Sequence, residues 1–148
     1  MKTLTPINGP ILLREVLDQV LMTHPCAKLW PAEIKTEGFA KALAGSGAIA
    51  LATWDGERWD GLLTGFVAPD FHSGELWGYE SLWVVRQDAD PDAAASLQNA
   101  FEEVCKARGC QRVVSGMFLG ASRSDKAMRR MYRLKGYRPM SESFIKEL

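Results

Sequence analysis

The side chains best equipped for chemistry in this chain of 148 residues are a few isolated acids, a tyrosine and three thiols. Cys26, Cys105 and Cys110 are odd in number, and the last two stand five apart, not at the two-residue spacing of a zinc knuckle or a redox pair. Only His24 and His72 could help ligate a metal, and neither lies beside a cysteine pair. They read as idle thiols in a reducing compartment, with no metal site. Glu80 alternates with Ser81 and Leu82 in a strand-like run, the pattern of an acid facing solvent. Tyr132 falls at a helical spacing from Met128 that would bury its ring beside a core. Arg123, Lys126, Arg129, Arg130, Arg133 and Lys135 form the one dense basic cluster, read as a solvated helix face, with an acidic partner surface as the sharper alternative.

Composition narrows what such residues can serve. The 18 basic and 18 acidic side chains cancel, which excludes a broad nucleic-acid footprint. Hydrophobic residues at 47% and five Trp imply a folded core. No apolar run approaches the ~20 residues that cross a bilayer, and no secretory leader opens the chain, so the expectation is a cytoplasmic protein without membrane partners. The length suits one domain over residues 1–148.

The elements that must position these residues follow from period and punctuation. Met1 to Pro6 alternates as a short strand. Asn8-Gly9-Pro10 opens a helix from about Ile11 to Thr23, with Ile11, Leu12, Val16, Val20 and Leu21 on one face. Pro25 stops it, and Trp30-Pro31 starts a second helix that runs to about Leu43. Ala48 to Trp54 and Gly61 to Val67 flank Asp55-Gly56 as a hairpin, and Glu75 to Val85 adds a third strand. Asp90-Pro91-Asp92 is an N-cap, a first-turn proline and a first-turn acid for a helix that reaches about Arg108 and buries Leu97, Ala100, Phe101 and Val104. Arg112 to Phe118 is a strand, Ser124 or Asp125 starts a last helix through Leu134, and Tyr137 to Leu148 adds a final strand. The class is α/β (α+β), with a mixed, mostly antiparallel central sheet, helices on both faces and the order β-α-α-β-β-β-α-β-α-β. The strands holding Val85 and Val113 should run parallel across their helical crossover.

This order, together with Tyr132-Arg133-Leu134-Lys135-Gly136-Tyr137 at the end of the last helix, resembles the GCN5-related N-acetyltransferase (GNAT) fold. The resemblance implies acetyl-CoA as the acyl donor, with Tyr132 giving a proton to the departing thiolate and Glu80 acting as base. It implies that Trp83, Val84 and Val85 offer a pairing edge to the pantetheine arm. The helix start at Ala93, Ala94 and Ala95 would meet the pyrophosphate, and the basic helix is a candidate for the 3′-phosphate. Trp77 and Trp83 are core or interface anchors.

One stretch departs from the resemblance. The family places Arg or Gln, two variable residues, Gly, one variable residue, then Gly or Ala at the crossover-helix start. Here Ala89-Asp90-Pro91-Asp92-Ala93-Ala94 keeps only Ala94. A carboxylate about 5 Å from a pyrophosphate charge costs roughly 3 kcal/mol at an effective dielectric near 20. The sequence reading therefore favours a chain that has lost acetyl transfer, binds no cofactor, and serves in self-assembly or protein-partner binding. Short GNAT-like chains with eroded motifs occur among the structural and accessory proteins of tailed phages, so a virion or head–tail component is the concrete version. The alternative is an acetyl-CoA-dependent N-acetyltransferase acting on a small-molecule or protein amine.

Overall fold

The computed structural model describes residues 3–7, 9–116, 125–141 and 145–148. The chain divides into two compact units, Met1–Gly116 and Met117–Leu148. The first starts with strand β1 (Thr3–Pro6) and helix α1 (Pro10–Val16), which continues as a π turn over Leu17–Leu21. A 3-10 turn (Pro25–Leu29) precedes helix α2 (Thr36–Leu43). Strands β2 (Ala48–Trp54), β3 (Trp59–Pro69) and β4 (Leu76–Val85) follow, then helix α3 (Asp92–Ala107) and strand β5 (Arg112–Val114). In the second unit the described residues form helix α4 (Asp125–Leu134).

The sheet runs β1-β2-β3-β4-β5, antiparallel except for the parallel β4–β5 pair. Both reversals of the meander are built by an aspartate. Asp55 Oδ1 accepts the N–H groups of Glu57 and Arg58 at 2.8 and 2.9 Å. Asp70 Oδ2 does the same for His72 and Ser73 at 3.1 and 2.8 Å, and these bonds, that of Ser73 foremost, hold its carboxyl below the usual range.

Each face of the sheet is covered. Leu13, Val16, Leu17, Val20 and Leu21 are buried on the first helix, and the π turn packs on β3 and β4, whose Leu62 and Val84 are buried there. On the other face Ile49, Leu51 and Leu63 meet Leu97, Phe101 and Cys105 of α3. That contact is unusually intimate. A Cβ on Gly65 would stand 2.8 Å from the Phe101 ring and collide with the Tyr79 carbonyl oxygen. One on Gly78 would collide with Cys105 Sγ. Burial pushes the Cys105 thiol up to about 12, away from the reactive thiolate, and all three cysteines are free.

Several expectations need correction. The second helix begins at Thr36, not at Pro31. The His24 ring accepts the Cys26 N–H at 3.2 Å and starts the separate 3-10 turn, and Pro31 holds Trp30 extended, so the chain cannot turn helical there. The strand expected over Tyr137–Leu148 is absent from the described residues 137–141 and 145–148, where Pro139 has no N–H to donate. β5 ends at Val114, since Ser115 and Gly116 are not strand, and the rest of the expected run to Phe118, with Arg123 and Ser124, lies outside the described residues.

Gly65→Ala is expected to lower stability by about 2 kcal/mol, since the neighbour that must give way is backbone. Denaturant unfolding monitored by Trp fluorescence measures it, and an unchanged midpoint would mean that α3 does not approach β3 this closely.

Candidate functional site

Strand β5 pairs with β4 only along Trp77, Gly78 and Tyr79, which face Arg112, Val113 and Val114. Beyond Tyr79 the two chains part, and among the described residues no strand pairs with the outer edge of β4 from Glu80 to Val85. The divergence coincides with a bulge. Gly65 faces Glu80 and Thr64 faces Leu82, so Ser81 is the extra residue. The sequence-expected edge of Trp83, Val84 and Val85 lies along this stretch of β4, beyond the residues that β5 pairs. Their side chains are used elsewhere: Trp83 and Val85 pack against the core under α3, and Val84 is buried on the opposite face.

Glu80 sits at the point of this fork. Paired residues of an antiparallel sheet share a face, and its partner Gly65 lies under Phe101, so the carboxyl projects toward α3 and not to solvent. The solvent-facing expectation fails because helix α3 covers that face. Burial raises the Glu80 carboxyl from 4.5 to about 7, against the opposing pull of the Ser115 hydroxyl and the Gly116 backbone N–H. Glu80 Oε2 and Ser115 Oγ are sealed from solvent, and neither completes a well-formed hydrogen bond among the described residues. Trp77, by contrast, donates its indole N–H to Glu75 at 3.1 Å and carries the Arg112 guanidinium 5.5 Å above its ring.

The start of α3 shows what its acids do. Asp90 Oδ1 accepts the Asp92 N–H at 2.8 Å, and the Asp90 carbonyl accepts the Ala93 N–H at 3.0 Å. The helix has Pro91, not the expected Asp90, at its N-cap position, and Asp90 just before it engages two of the first donors within the chain. Asp88 is bonded by Arg58 and by Arg86, at 2.7 and 2.8 Å, which holds its carboxyl below the usual range. Its charge is thus met by guanidinium and does not count against an approaching anion. Ala93 is buried, Ala94 half-buried and Ala95 exposed.

In the second unit Tyr132 ends α4 in a Schellman arrangement. Gly136 has φ 87°, the Tyr137 N–H bonds the Tyr132 carbonyl at 2.9 Å, and the Gly136 N–H bonds Arg133 at 3.0 Å. The Tyr132 and Tyr137 rings meet edge to face with centroids 5.2 Å apart. Lys126, Arg129, Arg130 and Arg133 are exposed, as a solvated face requires. The feature that sequence reasoning missed is Gln98 on α3, fully buried with neither amide atom hydrogen-bonded among the described residues. Its one signal is its place beside Leu97, at the margin of the apolar stripe.

No protein-family model matches the chain, and no curated protein matches it in sequence. Solved structures do match in fold. An acetyltransferase of Trypanosoma brucei superposes with a TM-score of 0.74 at 16% identity, covering 100% of both chains. An aminoglycoside acetyltransferase from an uncultured soil metagenomic sample, in complex with sisomicin, gives 0.73 at 15% identity over 99% of this chain and 96% of its own. AAC(6')-Iy in complex with the bisubstrate analogue CoA-S-monomethyl-acetylneamine gives 0.74 at 11% identity over 100% and 98%. The chain has the GNAT fold. These likenesses overturn the expectation of an assembly or virion component that has lost acetyl transfer and needs no cofactor. These three structures are acetyltransferases, one of them in complex with a bisubstrate analogue that contains CoA, and nothing points to a phage structural role. No helix of the described residues is long and apolar enough to cross a membrane.

The raised Glu80 carboxyl has a consequence for stability. From about 4.5 to about 7 the folded chain keeps a proton that the unfolded chain releases, so this group makes stability fall as pH rises through that window. Thermal melts of Glu80→Gln should gain on the parent protein across the same interval and run parallel to it at higher pH. Identical pH dependence in the two proteins would place the carboxyl in water.

Proposed function

We propose that the protein is an N-acetyltransferase that moves the acetyl group of acetyl-CoA to a small-molecule or protein amine. The observation that carries this reading is Glu80, a carboxyl raised to about 7 at the point where β5, among the described residues, stops pairing with β4. A base with that pKa is half ionised near neutral pH, where general-base catalysis on an ammonium-bearing acceptor is most effective. In the reaction the acceptor nitrogen bonds to the thioester carbon as the carbon–sulfur bond breaks. Glu80 takes the proton leaving nitrogen, and Tyr132 gives one to the departing thiolate. The assignment of Tyr132 rests on its place in the helix-end motif. The β4 edge at Trp83, Val84 and Val85, beyond the last residue that β5 pairs, suits the amides of the pantetheine arm, as an added strand would. The first turn of α3, at Ala93, Ala94 and Ala95, suits the diphosphate. Asp90 competes there, because its carboxylate already occupies the Asp92 N–H.

Calorimetric titration with acetyl-CoA, followed by a thiol-release assay over a panel of primary amines, tests the reading. Binding with turnover is expected. Failure to bind acetyl-CoA at millimolar concentration would overturn it. Asp90→Asn keeps a good helix cap while removing the charge, so acetyl-CoA affinity should rise roughly tenfold with little change in melting temperature. Tyr132→Phe should lower the maximal rate by at least about tenfold with acetyl-CoA affinity nearly intact, as expected for a group that acts in the transition state. An unchanged rate removes Tyr132 from the chemistry.

A further inference from the structure

Gln98 is the one fully buried side chain of α3 with two polar atoms and no hydrogen bond to either among the described residues. Buried amides left so are rare in native proteins and call for a specific partner. The register of α3 on the sheet locates that partner. Leu97 stands over Gly61 and Val85, Phe101 over Gly65, and Cys105 over Gly78 with Val113 alongside, so α3 runs antiparallel to β4. Residues seven apart share one side of a helix, which puts Gln98 on the flank of Cys105, the flank that overhangs β4 and β5. Along the helix axis Gln98 lies between the level of Leu97, over Val85, and that of Phe101, over the partner of Glu80. It therefore overhangs the fork between Glu80 and Trp83, where Glu80 Oε2 and Ser115 Oγ are also sealed and complete no well-formed hydrogen bond among the described residues.

We propose that Gln98 is a positioning residue of the fork, whose carboxamide N–H meets the Glu80 carboxyl across one trapped water and fixes the direction of its free oxygen. A primary amide suits this task because it has donors for the ionised carboxylate and an acceptor for the protonated acid. The same amide accommodates both states of a group that must take up and release a proton. The surroundings leave little else to do so. Strand β3 offers Gly65, β4 offers Gly78 and Trp83, and the β5 end offers Ser115 and the Gly116 N–H. Helix α3 offers Phe101 and the neutral Cys105 thiol, with Glu102 on its half-buried flank. No charged side chain contributes to the displacement of Glu80.

The test is an NMR titration of the Glu80 carboxyl carbon in the intact chain and in Gln98→Met, an apolar side chain of nearly the same shape. Loss of a donor to the ionised form should move the midpoint up by about one unit. In an active enzyme kcat/KM at pH 7 should fall about fivefold and recover above pH 9, a shift of the pH profile that a purely structural role would not produce. A midpoint within 0.2 units of the parent, in a folded variant, overturns the proposal. If Gln98→Met fails to fold, the parent protein decides. The Gln98 side-chain amide protons should titrate with the midpoint of Glu80 and cease to do so in Glu80→Gln, and amide signals that do not titrate overturn the proposal equally. The catalytic consequence rests on the acetyltransferase reading, whereas the titration does not. Coupled titration in a protein that never acetylates would sink that reading alone, and turnover with uncoupled titration would sink this one alone.

Discussion

Helix α3 lies hard against β3 and β4 because Gly65 and Gly78 present no Cβ where Phe101 and Cys105 descend. The chemistry of the site depends on that approach. The same helix face that brings Phe101 onto Gly65 closes over the strand position paired with Gly65, which is Glu80. A carboxyl placed there loses most of its hydration and receives in return only a hydroxyl and one backbone N–H, so its pKa rises to about 7. A larger residue at position 65 would lift the helix, admit water and return Glu80 to the behaviour of an ordinary surface acid. Packing and proton affinity are here one variable.

A second constraint operates at the start of the same helix, where folding and ligand binding compete for the same backbone donors. A helix needs its first N–H groups satisfied, and an anionic ligand needs them free. Asp90 serves the first need by bonding the Asp92 N–H. Charge alone is a poor guide to the outcome. Of the acids in this loop, Asp88 is matched by Arg58 and Arg86, and Asp90 is turned onto the helix it caps. The unfavourable field of this loop is therefore reduced at Asp88 and Asp90, while Asp92 stays exposed. A carboxylate cap is also displaceable in a way that a missing donor is not. It can rotate away when a more strongly charged oxygen arrives, at the expense of part of the capping energy, about 1 kcal/mol.

The fold was legible in the sequence to the extent that local rules govern it. Asp55-Gly56 and Asp70 build the meander's turns, Asp90 starts the crossover helix and Gly136 ends α4, each by bonding between near neighbours. Where a nearby competitor intervened, the reading failed: Pro31 reads as a helix opener, but the His24-capped turn just before it and the restraint on Trp30 delay α2 to Thr36. The site was legible only as positions. Glu80 looked like a solvent-facing acid because alternation along a strand does not reveal that a distant helix covers one face, nor that a bulge at Ser81 marks the fork. Gln98 carries a polar name on an amphipathic helix and so reads as a surface residue. Only the side of α3 that overhangs β5 makes it internal.

The fork also explains why buried polar groups without bonds gather there. Elsewhere in the first unit burial and hydrogen bonding go together: Thr53 and Asp60, both buried, bond each other under the start of the sheet's bulged hairpin, and the β3 N–H of Trp59 meets Gln19 at 2.9 Å. Glu80 Oε2 and Ser115 Oγ depart from that rule at the fork, and Gln98, which we place above it, departs with them. Each unbonded buried group costs of order 1–3 kcal/mol, so a cluster of them is sustained only where the free valences serve something other than stability. The end of the β4–β5 pairing provides the reason. Beneath it the side chains keep bonding capacity that the sheet does not use, and Glu80, met only by the Ser115 hydroxyl and the Gly116 N–H, keeps Oε2 for a proton.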